Sequence, residues 1–168
     1  SCFCLTTLLL LLRLLRTTVN KSIALSVAMP SAVCSQYELR DGIKIDYRHW
    51  PARTNSKKAI YCFHRGHEHS GRFNDVVELW RRIDDSFNNV HFFSWDMRGH
   101  GERGKLAEPA SSVAQLVADA NELIQYFNKQ YEVDLNQSIA IAHSIGGVVA
   151  SAWVHDYAPK LKALVLVT

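Results

Sequence analysis

The chain of 168 residues is 48% hydrophobic and 10% aromatic, which fits one globular domain with a sizeable core and excludes a disordered or low-complexity polypeptide. Its formal charge of +3 resides in the N-terminal segment, because Arg13, Arg16 and Lys21 precede the first acidic residue, Glu38, and without them 16 basic residues face 16 acidic ones. The remainder is neutral, so nothing in the charge supports a nucleic-acid partner.

Residues 1–34 differ in character from the rest of the chain, holding L-L-L-L-L-R-L-L-R and three of the four cysteines, Cys2, Cys4 and Cys34. The apolar run from Phe3 to Leu15 is broken by Arg13 and falls short of the roughly 20 residues that span a bilayer. Its charges lie inside and after the apolar run, unlike those of a secretory signal, although Ser31-Ala32-Val33 gives a small-residue cleavage context. Met29 is the first Met, and the globular pattern begins just after it. We therefore expect 1–34 to be a leader or upstream segment outside the fold, with 1–28 contributing nothing, and 35–168 to be the domain. Cys62, inside an apolar run, reads as a buried thiol, and no disulfide framework or CxxC metal pair is present.

From Gln36 onward strands and helices alternate. Tyr37-Glu38-Leu39, a turn at Asp41-Gly42, and Ile43, Ile45, Tyr47 and His49 on one face predict an antiparallel opening hairpin. After a polar loop from Pro51 to Ser56, the apolar run from Ala59 to Phe63 predicts a strand buried on both faces. Phe73, Val76, Val77, Trp80, Ile83 and Phe87 recur at helical spacing, and Asn88-Asn89 is expected to close that helix. Val90 to Trp95 is the next strand, followed by a loop from Gly99 to Pro109. A helix capped by Ser111 or Ser112 then carries Val113, Leu116, Val117, Ala120, Leu123, Ile124 and Phe127 on one stripe. A strand to Ala142, a helix through Tyr157 and a strand from Ala163 to Val167 complete the pattern. Short connections between alternating elements predict a mainly parallel sheet with helices on both faces.

Three unusual loops follow the C-terminal ends of strands, where open α/β sheets place ligands: His64 to Arg72, Asp96 to Gly101, and the turn at Ser144. The last reads S-I-A-I-A-H-S-I-G-G-V-V-A-S over residues 138–151, an apolar strand running through Ser144 into a small-residue helix. A sharp strand-to-helix turn admits only small residues two positions either side of its apex, here Ala142 and Gly146. Such an elbow would lift the Ser144 hydroxyl out of the sheet and aim the Ile145 N–H at the atom under attack. The plain alternative is a Ser capping an ordinary helix. Acyl transfer through a Ser needs a second N–H donor, and Gly66, in the loop after Phe63, is the best candidate because it lacks a Cβ that would hinder a ligand.

Together, F-H-R-G-H-E-H-S-G-R, D-M-R-G-H-G and A-H-S-I-G-G resemble α/β-hydrolases of the monoacylglycerol lipase, lysophospholipase and serine aminopeptidase group. Longer strings, including W-V-H-D-Y-A-P-K-L-K-A-L-V-L-V, are similar to bacterial proteins in which such a domain is fused to a methyltransferase. The resemblance covers Tyr37 to Thr168 and implies the N-terminal part of an α/β-hydrolase fold, through about the sixth strand. It implies Ser144 as nucleophile and the N–H groups of Gly66 and Ile145 as oxyanion hole. His64, Arg72 and Glu68 would shape the oxyanion loop, Asp96, Arg98, Gly99, His100 and Gly101 a structural turn, and His143 and Gly146 would flank the nucleophile. The expected substrate is a carboxylic ester, a lipid ester such as monoacylglycerol or lysophospholipid among them, with no cofactor and no metal.

This sequence departs from that pattern at Ala142, which replaces the usual first Gly of the elbow, and at Arg65, which stands where these lipases have Gly. R-G-H-G-E-R-G also lacks the Ser that normally follows. The family's catalytic Asp and His follow later strands, beyond Thr168, and His143, His100 and His155 do not occupy that position. The expectation is therefore a C-terminally truncated piece of a serine hydrolase, inactive by itself. The competing functions are a non-catalytic binding module and, more remotely, a metal hydrolase using His64, His67 and His69 in H-x-x-H-x-H spacing. A cytoplasmic setting is expected, with peripheral membrane contact to reach lipid esters, while the N-terminal segment leaves secretion or anchoring open.

Overall fold

The computed structural model describes residues 31–101 and 109–168, so the leader expected over 1–28 and the loop residues 102–108 lie outside the described residues. Six strands form one sheet: β1 (Val33–Glu38), β2 (Lys44–Trp50), β3 (Ala59–Phe63), β4 (His91–Trp95), β5 (Ile139–His143) and β6 (Ala163–Val167). Among the described residues three α-helices accompany them, α1 (Asn74–Ile83), α2 (Val113–Gln130) and α3 (Ile145–Tyr157). The strand order is β1-β2-β4-β3-β5-β6. β1 and β2 pair antiparallel with Tyr37 opposite Ile45, β2 pairs antiparallel with β4, and β4, β3, β5 and β6 run parallel. This is the α/β-hydrolase architecture expected from the sequence, in its N-terminal part.

Side-chain alternation along the central strands builds two cores. Tyr61 and Phe63 of β3 point to the face covered by α2 and α3, where they join Phe93, Trp95, Leu123, Phe127 and Trp153. Ile60 and Cys62 point to the opposite face, with Trp50, Phe92 and Val77 of α1. All five residues of β3 are buried, as a strand covered on both faces requires. At the hairpin, Gly42 takes the left-handed backbone (φ 85°) that the tight turn demands, and its N–H donates to the Leu39 carbonyl at 2.8 Å.

Some boundaries differ from the sequence expectation. β1 begins at Val33, so Val33 and Cys34 are strand residues. β4 begins at His91, one residue later than expected. α1 ends at Ile83, because Asp84 adopts an extended backbone and its carboxylate accepts the Ser86 N–H at 2.8 Å, opening a separate 3₁₀ turn over Asp85–Asn89. Ile83 is consequently exposed, while Phe87 returns to pack on Trp80 and Phe92. In α2, Ser112 is the cap, its hydroxyl accepting the Gln115 N–H at 3.3 Å, and Val113 at the head of the expected stripe is exposed.

Candidate active site

The loops after β3, β4 and β5 emerge at the same end of the sheet, since these three strands run parallel. Ser144 sits at the apex between β5 and α3 with φ 53° and ψ −121°, a backbone that costs a non-glycine residue on the order of 1–3 kcal/mol. Its side chain makes no capping hydrogen bond, so the plain reading as a helix cap does not hold. The residue is exposed, and the turn is held from below by its backbone, with the Ser144 N–H donating to the Val167 carbonyl at 3.2 Å. Both small positions are explained by packing. A Cβ on Gly146 would lie 2.5 Å from the His64 carbonyl oxygen and 2.8 Å from that of Phe63, and Ala142 is buried in the main core. Ala suffices at 142 where Gly is required at 146.

Gly66 lies beside Ile145: a Cβ on Gly66 would meet Ile145 Cγ2 at 3.6 Å. That is an ordinary contact, and Gly66 does not have a positive φ, so the fold itself does not demand glycine there. Neither the Gly66 N–H nor the Ile145 N–H has an acceptor among the described residues. Ile145 opens α3, where the first N–H groups of a helix lack intrahelical partners and carry its positive dipole end.

His64, fully buried at the end of β3, fixes the loop. The Met97 N–H donates to its Nε2 at 3.0 Å, which puts the proton on Nδ1, and Nδ1–H donates to the Arg65 carbonyl at 2.7 Å. In a trans peptide the carbonyl and the following N–H point in opposite directions, so this bond also orients the Gly66 N–H. Burial is the main cause that lowers the His64 pKa, which keeps the ring neutral and suited to both bonds. Glu68 Oε1 forms an ion pair with Arg65, 2.9 Å from its Nε, and accepts a hydrogen bond from Arg72 Nε at 3.2 Å. Farther along, the Ser70 N–H donates to Asp96 Oδ1 at 2.6 Å. A Cβ on Gly101, whose φ is 77°, would strike Asp96 Oδ2 at 1.9 Å, so Asp96 fills the space that this glycine leaves.

The turn after β4 carries a clamp that the motif D-M-R-G-H-G signals only by its Arg. Buried Arg98 grips Asp119 of α2 through Nε and Nη2, both at 2.8 Å, and Asp41 of the hairpin through Nη1 at 2.7 Å. The hydrogen bond from Arg98 is the leading cause that lowers the Asp41 pKa. Sequence reasoning also missed the backbone of His67, a non-glycine residue in the left-handed region (φ 62°) within the loop beside Gly66.

Among the described residues no histidine hydrogen-bonds to the Ser144 hydroxyl. His143 ends β5 beside Ser144, His100 lies in the turn with its ring 5.2 Å from that of His64, and His155 pairs with Asp156 on the exposed end of α3. The trio His64, His67 and His69 does not make a metal centre, because both His64 nitrogens are engaged and His69 Nδ1 accepts the Gly71 N–H at 3.2 Å. Among the described residues no group of three His, Cys, Asp or Glu side chains is placed to hold a metal ion, and no helix is long and apolar enough to cross a membrane.

The sequence profile of the family described as "Serine aminopeptidase, S33" matches residues 54–168. The chain is 39% identical over 127 residues to the uncharacterized protein YnbC of Escherichia coli, covering 75% of this chain and 21% of that protein. It is 27% identical to protein phosphatase methylesterase 1 of Debaryomyces hansenii (76% of this chain, 33% of that protein) and 23% identical to monoglyceride lipase of Rattus norvegicus (76% and 40%). It therefore spans less than half the length of these relatives. Among solved structures, a thermostable carboxyl esterase from Bacillus coagulans superimposes with a TM-score of 0.65 at 16% identity, covering 81% of this chain and 44% of that one.

Proposed function

Because the chain belongs to the serine aminopeptidase S33 family of α/β-hydrolases, we propose that it carries the nucleophile and oxyanion half of a serine esterase site. The observation that carries this reading is the strained, uncapped, exposed Ser144 beside two N–H groups that have no acceptor among the described residues. In this reading the Ser144 oxygen attacks the carbonyl carbon of a carboxylic ester. The developing oxyanion accepts from Gly66 and Ile145, and collapse expels the alcohol to leave an acyl-Ser that water then cleaves. Monoacylglycerol-type and other lipid esters are the proposed substrates, in keeping with the lipase and esterase relatives.

The proton from Ser144 needs a base. His64 is occupied on both nitrogens and His155 is paired on the surface. We assign the base, and the acid that orients it, to sequence beyond Thr168, as the resemblance implies; fusion to a methyltransferase domain belongs to the same proposal. The same observation favours a second reading for the 168 residues taken alone, a module that binds an ester without turning it over at speed. Without the base, the oxyanion hole and substrate binding together still leave about 10³–10⁴-fold over water. The test is to incubate the chain with 4-nitrophenyl butyrate, with and without added imidazole as external base, and to map acylated peptides by mass spectrometry. An adduct on Ser144 that imidazole accelerates, and that Ser144→Ala abolishes, supports the reading; acylation elsewhere, or equally in Ser144→Ala, contradicts it.

A further inference from the structure

We infer that Arg65 and Arg72, clamped together by Glu68 beside the Gly66 donor, form a receptor for a carboxylate or phosphate carried by the ester substrate; this rests on the ester-hydrolase reading above. Glu68 Oε1 engages both arginines through their Nε atoms, at 2.9 Å and 3.2 Å. The carboxylate is largely covered, its side chain 16% exposed, whereas the Arg65 and Arg72 side chains are 52% and 63% exposed. One carboxylate thus serves two guanidinium groups, and the cluster keeps a net positive charge. Contact at Nε leaves the Nη atoms of both arginines with no acceptor among the described residues. These planar N–H pairs match the geometry of carboxylate and phosphate oxygens.

Position ties the cluster to the site. The Arg65 carbonyl belongs to the same peptide unit as the Gly66 N–H, and it is pinned by His64. Farther along, Ser70 is pinned by Asp96, so the arginines are mounted on a loop fastened at both ends. The other carboxylate tied to this loop, Asp96, is engaged by the Ser70 N–H. If the arginines were only a brace, the Glu68 to Arg72 contact would already span the loop, and a second exposed guanidinium would add charge that the brace does not need. An ester with an anionic group on its acyl chain or alcohol places that charge within reach of Arg65 while its carbonyl faces Gly66 and Ile145.

The test is a titration of the ¹⁵N-labelled chain with N-phenylbutanamide and with N-phenylglutaramic acid, amide counterparts of a neutral and an anionic ester, followed at the Gly66 and Ile145 amides. The acid is expected to bind about fivefold more tightly than the neutral amide at low salt. Screening should reduce that preference to about twofold in 0.5 M NaCl. Arg65→Gln should bring the acid to the affinity of the neutral amide, Arg65→Lys should keep part of the preference, and Arg72→Gln serves as a second variant should Arg65→Gln disturb the amide spectrum. Equal affinities in the unmodified chain, a preference that survives both Gln variants, or binding of neither compound would overturn the proposal. Ser144→Ala leaves this preference in place, so failure of the nucleophile and failure of the anion receptor are read separately.

Discussion

The loop after β3 and the elbow after β5 meet at Gly66 and Ile145, yet they are held by opposite means. The β3 loop is fixed by side chains: His64 bridges Met97 and Arg65, Glu68 bridges two arginines, and Asp96 holds Ser70. The elbow is fixed by what is missing, since Gly146 lies against the carbonyls of Phe63 and His64, and Ser144 takes no side-chain partner in capping. An orientation that must be exact at one N–H can be set by hydrogen bonds to the neighbouring carbonyl. A sharp turn against a buried strand instead requires that no side chain intrude. The first device should fail gradually under substitution and the second abruptly.

The largest effect should come from Gly146→Ala, because its Cβ would lie within 2.5 Å of the backbone oxygen of His64. We expect a loss of about 3 kcal/mol or more, read as a lower urea midpoint. His64→Leu should cost about 2 kcal/mol by leaving the Met97 N–H and the Arg65 carbonyl without their partner. It should also slow acylation of Ser144 about tenfold or more as the Gly66 N–H loses its fixed direction. Elbow and loop then separate cleanly: one variant damages folding first, the other chemistry.

The opposite end of the sheet offers a third contrast, also built on histidine. His49 Nε2–H donates to His91 Nδ1 at 2.8 Å, and the Ala52 N–H donates to the same nitrogen, so both buried rings are neutral. Burial, then the neighbouring His91 and Arg81, pushes the His49 pKa from 6.5 down to about 3. The unfolded chain therefore binds more protons between these values, so the contribution of His49 is complete above about pH 6.5 and is lost as pH falls toward 3. Urea titrations at pH 7 and pH 5 should differ by about 1–2 kcal/mol, and His49→Phe should shrink that difference, leaving the part due to His64 and His91, whose pKa values burial also lowers. The smallest effect is expected at His67, where Gly relieves a left-handed backbone and should stabilise the chain by about 0.5 kcal/mol in the same assay.

The sequence disclosed the sheet and the elbow because both rest on local patterns: apolar runs at Ala59–Phe63 and Ala163–Val167, and small residues two positions either side of Ser144. The juxtaposition of Gly66 and Ile145 is foreshadowed only through the order of three motifs, each after a parallel strand. Asp84 escapes the pattern because a capping hydrogen bond to Ser86 overrides a helical stripe that otherwise continues to Phe87. Arg98 with Asp119 and Asp41, and His49 with His91, pair residues 21 or more positions apart, and nothing in a local pattern links them. The left-handed backbone of His67 gives no sequence signal, since it is set by the loop around it rather than by the residue's own preference.

The central claim is that Ser144 attacks an acyl group whose oxygen is held by Gly66 and Ile145. A crystal structure of the chain after reaction with a 4-nitrophenyl alkylphosphonate, with imidazole supplied as the external base, tests it most directly. The account predicts a phosphonyl group on Ser144 Oγ with its free oxygen about 2.7–3.1 Å from both the Gly66 and Ile145 nitrogens. A phosphonyl group on another residue, or one on Ser144 whose oxygen points away from both amides, would contradict it.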